Sequence, residues 1–230
     1  MKNAPLIGTF ITLSSLYLIL TALDYGNIAW FLKPVLLPFL ILITWNANNF
    51  PTKKWLLTAL AFSWIGDIIL MFADKGELYF IFGLVAFLIS HIFYIVLFLK
   101  QSNPANGAKK PLFWLSCIVV AFYLRTMLNF LFPTLGALKI PVSVYALTIS
   151  VMLIFALKGY FSWNNSGKYF VLLGAVLFVC SDSLLAIDKF YSRLNFAPFG
   201  IMVTYLLAQY FITAGILKLN KNSISVADYL

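Results

Sequence analysis

Between Leu78 and Leu99 the chain reads LYFIFGLVAFLISHIFYIVLFL, 22 residues without an Asp, Glu, Lys or Arg. As a helix rising about 1.5 Å per residue, this run reaches roughly 33 Å, enough to cross the hydrocarbon core of a bilayer. Several other runs are nearly as long and as apolar. The whole chain shares the bias: 63% of its 230 residues are hydrophobic and 10% are charged. Soluble domains lie nearer 45–50% and about 25%, so a soluble core has no room for this excess. The expected class is all-α, a polytopic membrane protein built as a bundle of eight transmembrane helices.

Charges, Gly, Pro and Asn mark the loops. They place spans near 5–23, 30–46, 54–72, 78–99, 112–131, 141–158, 168–187 and 199–218. Short linkers make sequence neighbours antiparallel. The longest polar linker, KQSNPANGAKK (100–110), separates two sets of four spans. One integral membrane domain over 1–230 is expected, with repeat halves 1–103 and 104–230.

The first span has only Lys2 as a basic start and no small-residue cleavage site before Asp24, so it reads as a retained helix rather than a signal peptide. Cys117 and Cys180 fall inside spans and read as small apolar residues rather than a disulfide or thiolate metal site.

The N-terminus, the C-terminal tail and the loops after spans 2, 4 and 6 hold ten basic residues. These are Lys2, Lys53, Lys54, Lys100, Lys109, Lys110, Lys158, Lys168, Lys218 and Lys221. The opposite loops hold four: Lys75, Lys139, Lys189 and Arg193. That asymmetry puts both termini in the cytoplasm, across the cell (inner) membrane. The net charge of +9 is met by anionic lipid head groups, and no nucleic-acid partner is needed to explain it.

A weak internal similarity links the halves. GDIILMFADK (66–75) falls over SDSLLAIDK (181–189), which aligns Asp67 with Asp182. FLISHIFYI (87–95) falls over YLLAQYFIT (205–213), setting His91 over Gln209, and FLKPV (31–35) resembles ALKIPV (137–142). Halves with an even number of spans would be parallel repeats, related by an axis along the membrane normal. Chance similarity between apolar segments is the alternative.

Ionisable groups inside a bilayer cost about 2.5–3.5 kcal/mol each on insertion scales and usually face a cavity or a partner. Five lie within spans: Lys33, Asp67, His91, Arg125 and Asp182. Counted along the helices, Asp67 and Asp182 lie about 8–9 Å below the non-cytoplasmic ends, Arg125 about 9 Å and Lys33 within about 5 Å, while His91 lies about 20 Å down. One polar pocket accounts for this grouping. The structural alternatives are Asp67 as a cap or in an ion pair with Lys33 or Arg125, the same for Asp182, a hydrogen-bonded His91, and cations that reach the interface. Asp74 and Asp188 lie near helix ends, where solvation explains them.

Two carboxylates at one pocket point to acid–base chemistry. A carboxyl in an apolar setting keeps its proton to higher pH than one stabilised by a cation or hydrogen bonds, so two can divide into an acid and a base. The cations could hold an anionic head group such as a phosphate. No nucleophile motif surrounds the single histidine, and no spacing suggests a metal site. A small-molecule or lipid transporter with a charged central cavity is the rival reading, since parallel repeats suit alternating access as well.

At these residues the sequence resembles the lysoplasmalogenase family of membrane proteins, the YhhN-like proteins. The resemblance is carried by LKP in span 2, GD in span 3, FLISHIFY in span 4 and PVSVYALTISVM in span 6. GAVLFVCSDSLLAIDKF in span 7 and YLLAQYFI in span 8 complete it. It implies an eight-helix hydrolase that splits the vinyl ether of a lysophospholipid in the bilayer, with no cofactor or metal. On that reading Asp67 and Asp182 are the acid–base pair. His91, Tyr94, Tyr205 and Gln209 orient water or tune the carboxylates, Lys33 and Arg125 hold the phosphate, and Tyr145 lines the pocket. Asp188 is an outside candidate for catalysis.

Overall fold

The computed structural model describes residues 3–101 and 110–221. Lys2, Lys109 and residues 102–109 of the polar linker lie outside the described residues. Eight α-helices form, and no β-strand occurs among the described residues. They are α1 (Ala4–Ala22), α2 (Gly26–Trp45), α3 (Lys53–Leu70), α4 (Glu77–Lys100), α5 (Lys110–Leu131), α6 (Lys139–Ser162), α7 (Gly167–Phe190) and α8 (Ala197–Asn220). Seven are long and apolar enough to cross a membrane. The other, α3, carries Lys53, Lys54 and Asp67 in 18 residues, and at about 27 Å it falls just short of a 30 Å core. The chain is an all-α polytopic membrane protein.

Each helix coincides with one expected span, and the differences are at the ends. α2 begins four residues before position 30, so Lys33 lies about 10 Å along the helix rather than within about 5 Å of its start. α7 continues to Phe190, three residues past position 187, which places Asp182 about 12 Å from the helix end. α6 continues through Gly159 to Ser162 because Trp163 folds back over it. The Trp163 indole occupies the space a Cβ at Gly159 would need, and Trp163 N donates to Gly159 O at 2.7 Å.

The chain divides between Leu97 and Phe98 into two compact units. In the first, α1 turns into α2 through a left-handed Asp24 at φ 60°. Tyr25 N donates to Leu20 O at 2.9 Å and Asp24 N to Thr21 O at 3.3 Å, the paired bonds of a Schellman ending. Asn3 Nδ2 then reaches Ile43 O at 3.0 Å, tying the start of α1 to the end of α2. Pro34 and Pro38 both lie inside α2. Pro38 has no N–H to give Pro34 O, its partner four residues back. Trp64 Nε1 of α3 supplies that carbonyl instead, at 2.7 Å. α3 meets α4 closely at Gly66, where a Cβ would sit 2.7 Å from the Phe87 ring.

In the second unit α5, α6, α7 and α8 pack in sequence order. α7 and α8 approach so closely at Gly174 that a Cβ there would lie 2.8 Å from Ala208 O and Ile212 N. Small residues at such crossings let helix backbones pack where no hydrophobic force drives association in lipid. Leu131, Leu135 and Val142 form a buried cluster at the α5–α6 corner, with Ala186 and Phe190 of α7 against it. Gln101 and Asn220 exchange two side-chain hydrogen bonds, at 3.2 and 3.1 Å, at the end of α8.

Candidate functional site

In the second unit Asp182 of α7 meets Tyr145 of α6. The phenol donates to Asp182 Oδ2 at 2.5 Å. One residue along α7, Ser183 accepts a hydrogen bond from Tyr123 of α5 and donates its own O–H to Val179 O at 2.5 Å. These residues line a cavity of about 60 Å³ between α5, α6 and α7. Leu124, Met127, Leu128, Ile149 and Val179 form much of the rest of its wall. The cavity is therefore an apolar chamber with a carboxylate in its wall. It exceeds the roughly 10–15 Å³ that one water requires.

The helical register explains the grouping. Asp182, Ser183, Val179 and Ala186 fall within two turns of one face of α7, and Tyr145 and Ile149 are one turn apart on α6. The Asp182 carboxylate can accept several hydrogen bonds, of which Tyr145 provides one.

The first unit also holds buried polar groups. Asp67 on α3 is 4% exposed and His91 on α4 is fully buried. One turn before Asp67, Ser63 Oγ donates to Ser90 Oγ at 2.7 Å, and Ser90 Oγ donates to Ala59 O at 2.8 Å. Tyr94, fully buried, is hydrogen-bonded to Ser63. Asp67 lies within electrostatic reach of Tyr17 on α1. His91 Nδ1 donates to Phe87 O at 2.7 Å, so the neutral ring presents Nε2 as an acceptor.

The remaining expected site residues divide. Tyr205 and Gln209 are buried one turn apart on α8, and Tyr205 packs edge-on against Phe178 at 5.6 Å. Lys33 is half-buried and Arg125 is exposed. Lys33 makes no hydrogen bond or ion pair among the described residues, so the ion-pair alternative of Asp67 with Lys33 is not realised within the first unit. Asp188 accepts Leu194 N at 2.8 Å and so holds the turn after α7, a structural role that suffices for it. No cluster of metal-binding side chains occurs among the described residues.

Sequence reasoning missed Tyr123, Ser183, Ser63, Ser90 and Ser150. Hydroxyls are unremarkable in a membrane helix, and no local pattern separates those that face a cavity from those bonded to their own helix.

Comparison with known proteins decides the family. The YhhN family profile matches residues 28–216, α2 to α8 almost entire. This chain belongs to the YhhN family. Among its YhhN relatives is a lysoplasmalogenase of Mycobacterium bovis (strain ATCC BAA-935 / AF2122/97), 32% identical over 168 residues. That match covers 71% of this chain and 60% of the relative. Human lysoplasmalogenase TMEM86A is 31% identical over 163 residues, 69% of this chain and 63% of the relative. Mouse lysoplasmalogenase TMEM86B is 32% identical over 173 residues, 74% of this chain and 67% of the relative. The matched part of this YhhN chain thus spans about 60% of the mycobacterial relative's length. No solved structure matches.

Proposed function

We propose that this YhhN protein hydrolyses the vinyl ether bond of lysoplasmalogens, releasing a fatty aldehyde and a glycerophospho-ethanolamine or -choline. The observation that carries the reading is Asp182, held by the Tyr145 hydroxyl on the wall of a chamber with room for water. The relatives named lysoplasmalogenase support the same bond.

The reaction asks for a proton on carbon. An acid delivers it to the far carbon of the O–CH=CH unit, and the ether oxygen's lone pair stabilises the resulting oxocarbenium ion. Water adds to the carbon beside oxygen and loses a proton to a base. The hemiacetal then collapses, the carbon–oxygen bond to glycerol breaks, and that oxygen takes up a proton. Atoms balance with one water consumed. A positioned carboxylic acid and a carboxylate suffice, as in the oxocarbenium chemistry of glycosidases. No metal or organic cofactor enters.

Asp67 and Asp182 are the acid–base pair. His91, Tyr94, Tyr145, Tyr205 and Gln209 orient the carboxylates, the water or the substrate, and Lys33 and Arg125 serve the phosphate. The alkenyl chain enters from the lipid. Both termini face the cytoplasm of the cell membrane, and the halves 1–103 and 104–230 are parallel repeats. The charge asymmetry and the aligned segments support these two statements.

Purified wild type, Asp67→Asn and Asp182→Asn, assayed for aldehyde with a defined lysoplasmalogen, test the assignment. Loss of turnover in both folded variants is expected. Wild-type rates in either remove that residue from the mechanism, and transport of the lipid without turnover replaces the reading by the transporter. A reporter fused to the C-terminus tests the orientation, and a signal from the non-cytoplasmic side contradicts it.

A further inference from the structure

The polar side chains of the chamber in the second unit do not have equivalent surroundings. The Tyr145 hydroxyl is directed to Asp182, the Tyr123 hydroxyl to Ser183, and the Ser183 hydroxyl to Val179 O. Ser150 of α6 also lines the chamber and is 4% exposed, yet its hydroxyl makes no hydrogen bond among the described residues. A helical Ser or Thr ordinarily bonds the carbonyl four residues back. Ser143 and Thr148 on the same helix do so, at 2.6 and 2.8 Å. A hydroxyl that forgoes this bond on a cavity wall is open to another partner, ordered water included. The 60 Å³ chamber has volume for one, and a water there needs two or more polar partners. Asp182 lines the same space.

We propose that Ser150 positions the hydrolytic water, holding it beside the Asp182 carboxylate. The proposal rests on the lysoplasmalogenase reading and assigns the water to this end of the chemistry. One oxygen lone pair of the water forms the new bond to the oxocarbenium carbon. One O–H bond breaks, and its proton passes to the Asp182 carboxylate. The Ser150 hydroxyl, bonded to the same water, fixes the direction of the attacking lone pair. Tyr145 keeps the carboxylate turned toward the chamber. Ser150 touches the water and not the lipid, so it governs turnover and leaves substrate binding unchanged.

The test compares full-length wild type, Ser150→Ala and Ser150→Thr in detergent. The Ala variant removes the hydroxyl, and the Thr variant keeps it while the chamber accommodates the added methyl. Ser150→Ala is expected to lower kcat by about 10- to 100-fold, the effect of misplacing one reacting group, with KM within about twofold. Ser150→Thr is expected to restore most of the loss. Wild-type kcat in Ser150→Ala, or a Ser150→Thr enzyme as slow as Ser150→Ala, overturns the proposal. A high-resolution structure gives a second readout that does not depend on turnover. Density for a water within hydrogen-bond distance of Ser150 Oγ in wild type, absent in Ser150→Ala, supports the site, and a chamber empty of water in wild type overturns it. Should wild type release no aldehyde at all, the hydrolase reading fails on its own, and the density still decides whether Ser150 holds a water.

Discussion

Tyr145 donates a hydrogen bond from its phenol to Asp182 across the α6–α7 boundary at 2.5 Å, on the wall of a largely apolar chamber. A carboxylate in such a place is costly unless its oxygens are met. Tyr145→Phe keeps the ring and deletes the donor. The expected cost is about 1–3 kcal/mol of stability. Aldehyde release should fall by about 100-fold, the low end for disturbing a positioned acid–base group. Initial rates and thermal midpoints check this, and an unchanged rate would separate Tyr145 from the chemistry.

Tyr123 and Ser183 form the neighbouring pair, bonded to each other and not to Asp182. Tyr123→Phe and Ser183→Ala should each lower stability, and the double variant should cost less than their sum. A coupling near 0.6 kcal/mol is expected, the average for interhelical hydrogen bonds in membranes. A double-mutant cycle measures it. Strict additivity would mean that the two hydroxyls do not interact.

Two glycines predict opposite outcomes for the same substitution. At Gly174 a Cβ would lie 2.8 Å from the backbone of α8, whereas at Gly8 nothing lies within 4 Å. Gly174→Ala must push α7 and α8 apart, at a cost of about 1–3 kcal/mol. Gly8→Ala should be neutral or stabilise by up to about 1 kcal/mol through helix propensity. Thermal midpoints in one detergent compare them directly.

Asp24 ends α1 in the left-handed region at φ 60°. Asp tolerates that conformation and Gly adopts it freely, but a β-branched residue is an outlier there. Asp24→Gly should therefore fold as well as wild type, and Asp24→Val should lose more than about 1 kcal/mol. Equal stabilities would show that the turn is not held left-handed in solution.

Most of the fold was legible because lipid imposes a coarse rule. Apolar runs must be about a bilayer long, and each of the eight observed helices falls on an expected run. The ends were less legible, since helix ends depend on tertiary contacts. Gly159 reads as a terminator, yet Trp163 packs over it and α6 continues. α3 reads as a span like the others, but Lys53 turns back to the carbonyls of Trp45 and Ala47 at 2.8 and 2.6 Å, which holds its charge at the α2–α3 corner.

For the site, charge in an apolar run was the readable signal, and it singled out Asp67 and Asp182. Their hydrogen-bond partners were harder to read. Tyr145 is 37 residues from Asp182, and the register that joins them is set by helix packing. Ser150 carries no sequence signal, because its distinction is a hydrogen bond it does not make within its own helix. Asp188 and Asp182 look alike in the sequence, but the Asp188 carboxylate caps a turn.

The central claim is protonation of a vinyl carbon followed by attack of water. Wild-type protein and a defined lysoplasmalogen in D2O test it most directly, with the aldehyde trapped by reduction and weighed by mass spectrometry. The account predicts one deuterium on the carbon next to the former carbonyl, in a product that Asp182→Asn does not make. Aldehyde without that deuterium, or equal yield from Asp182→Asn, would contradict it.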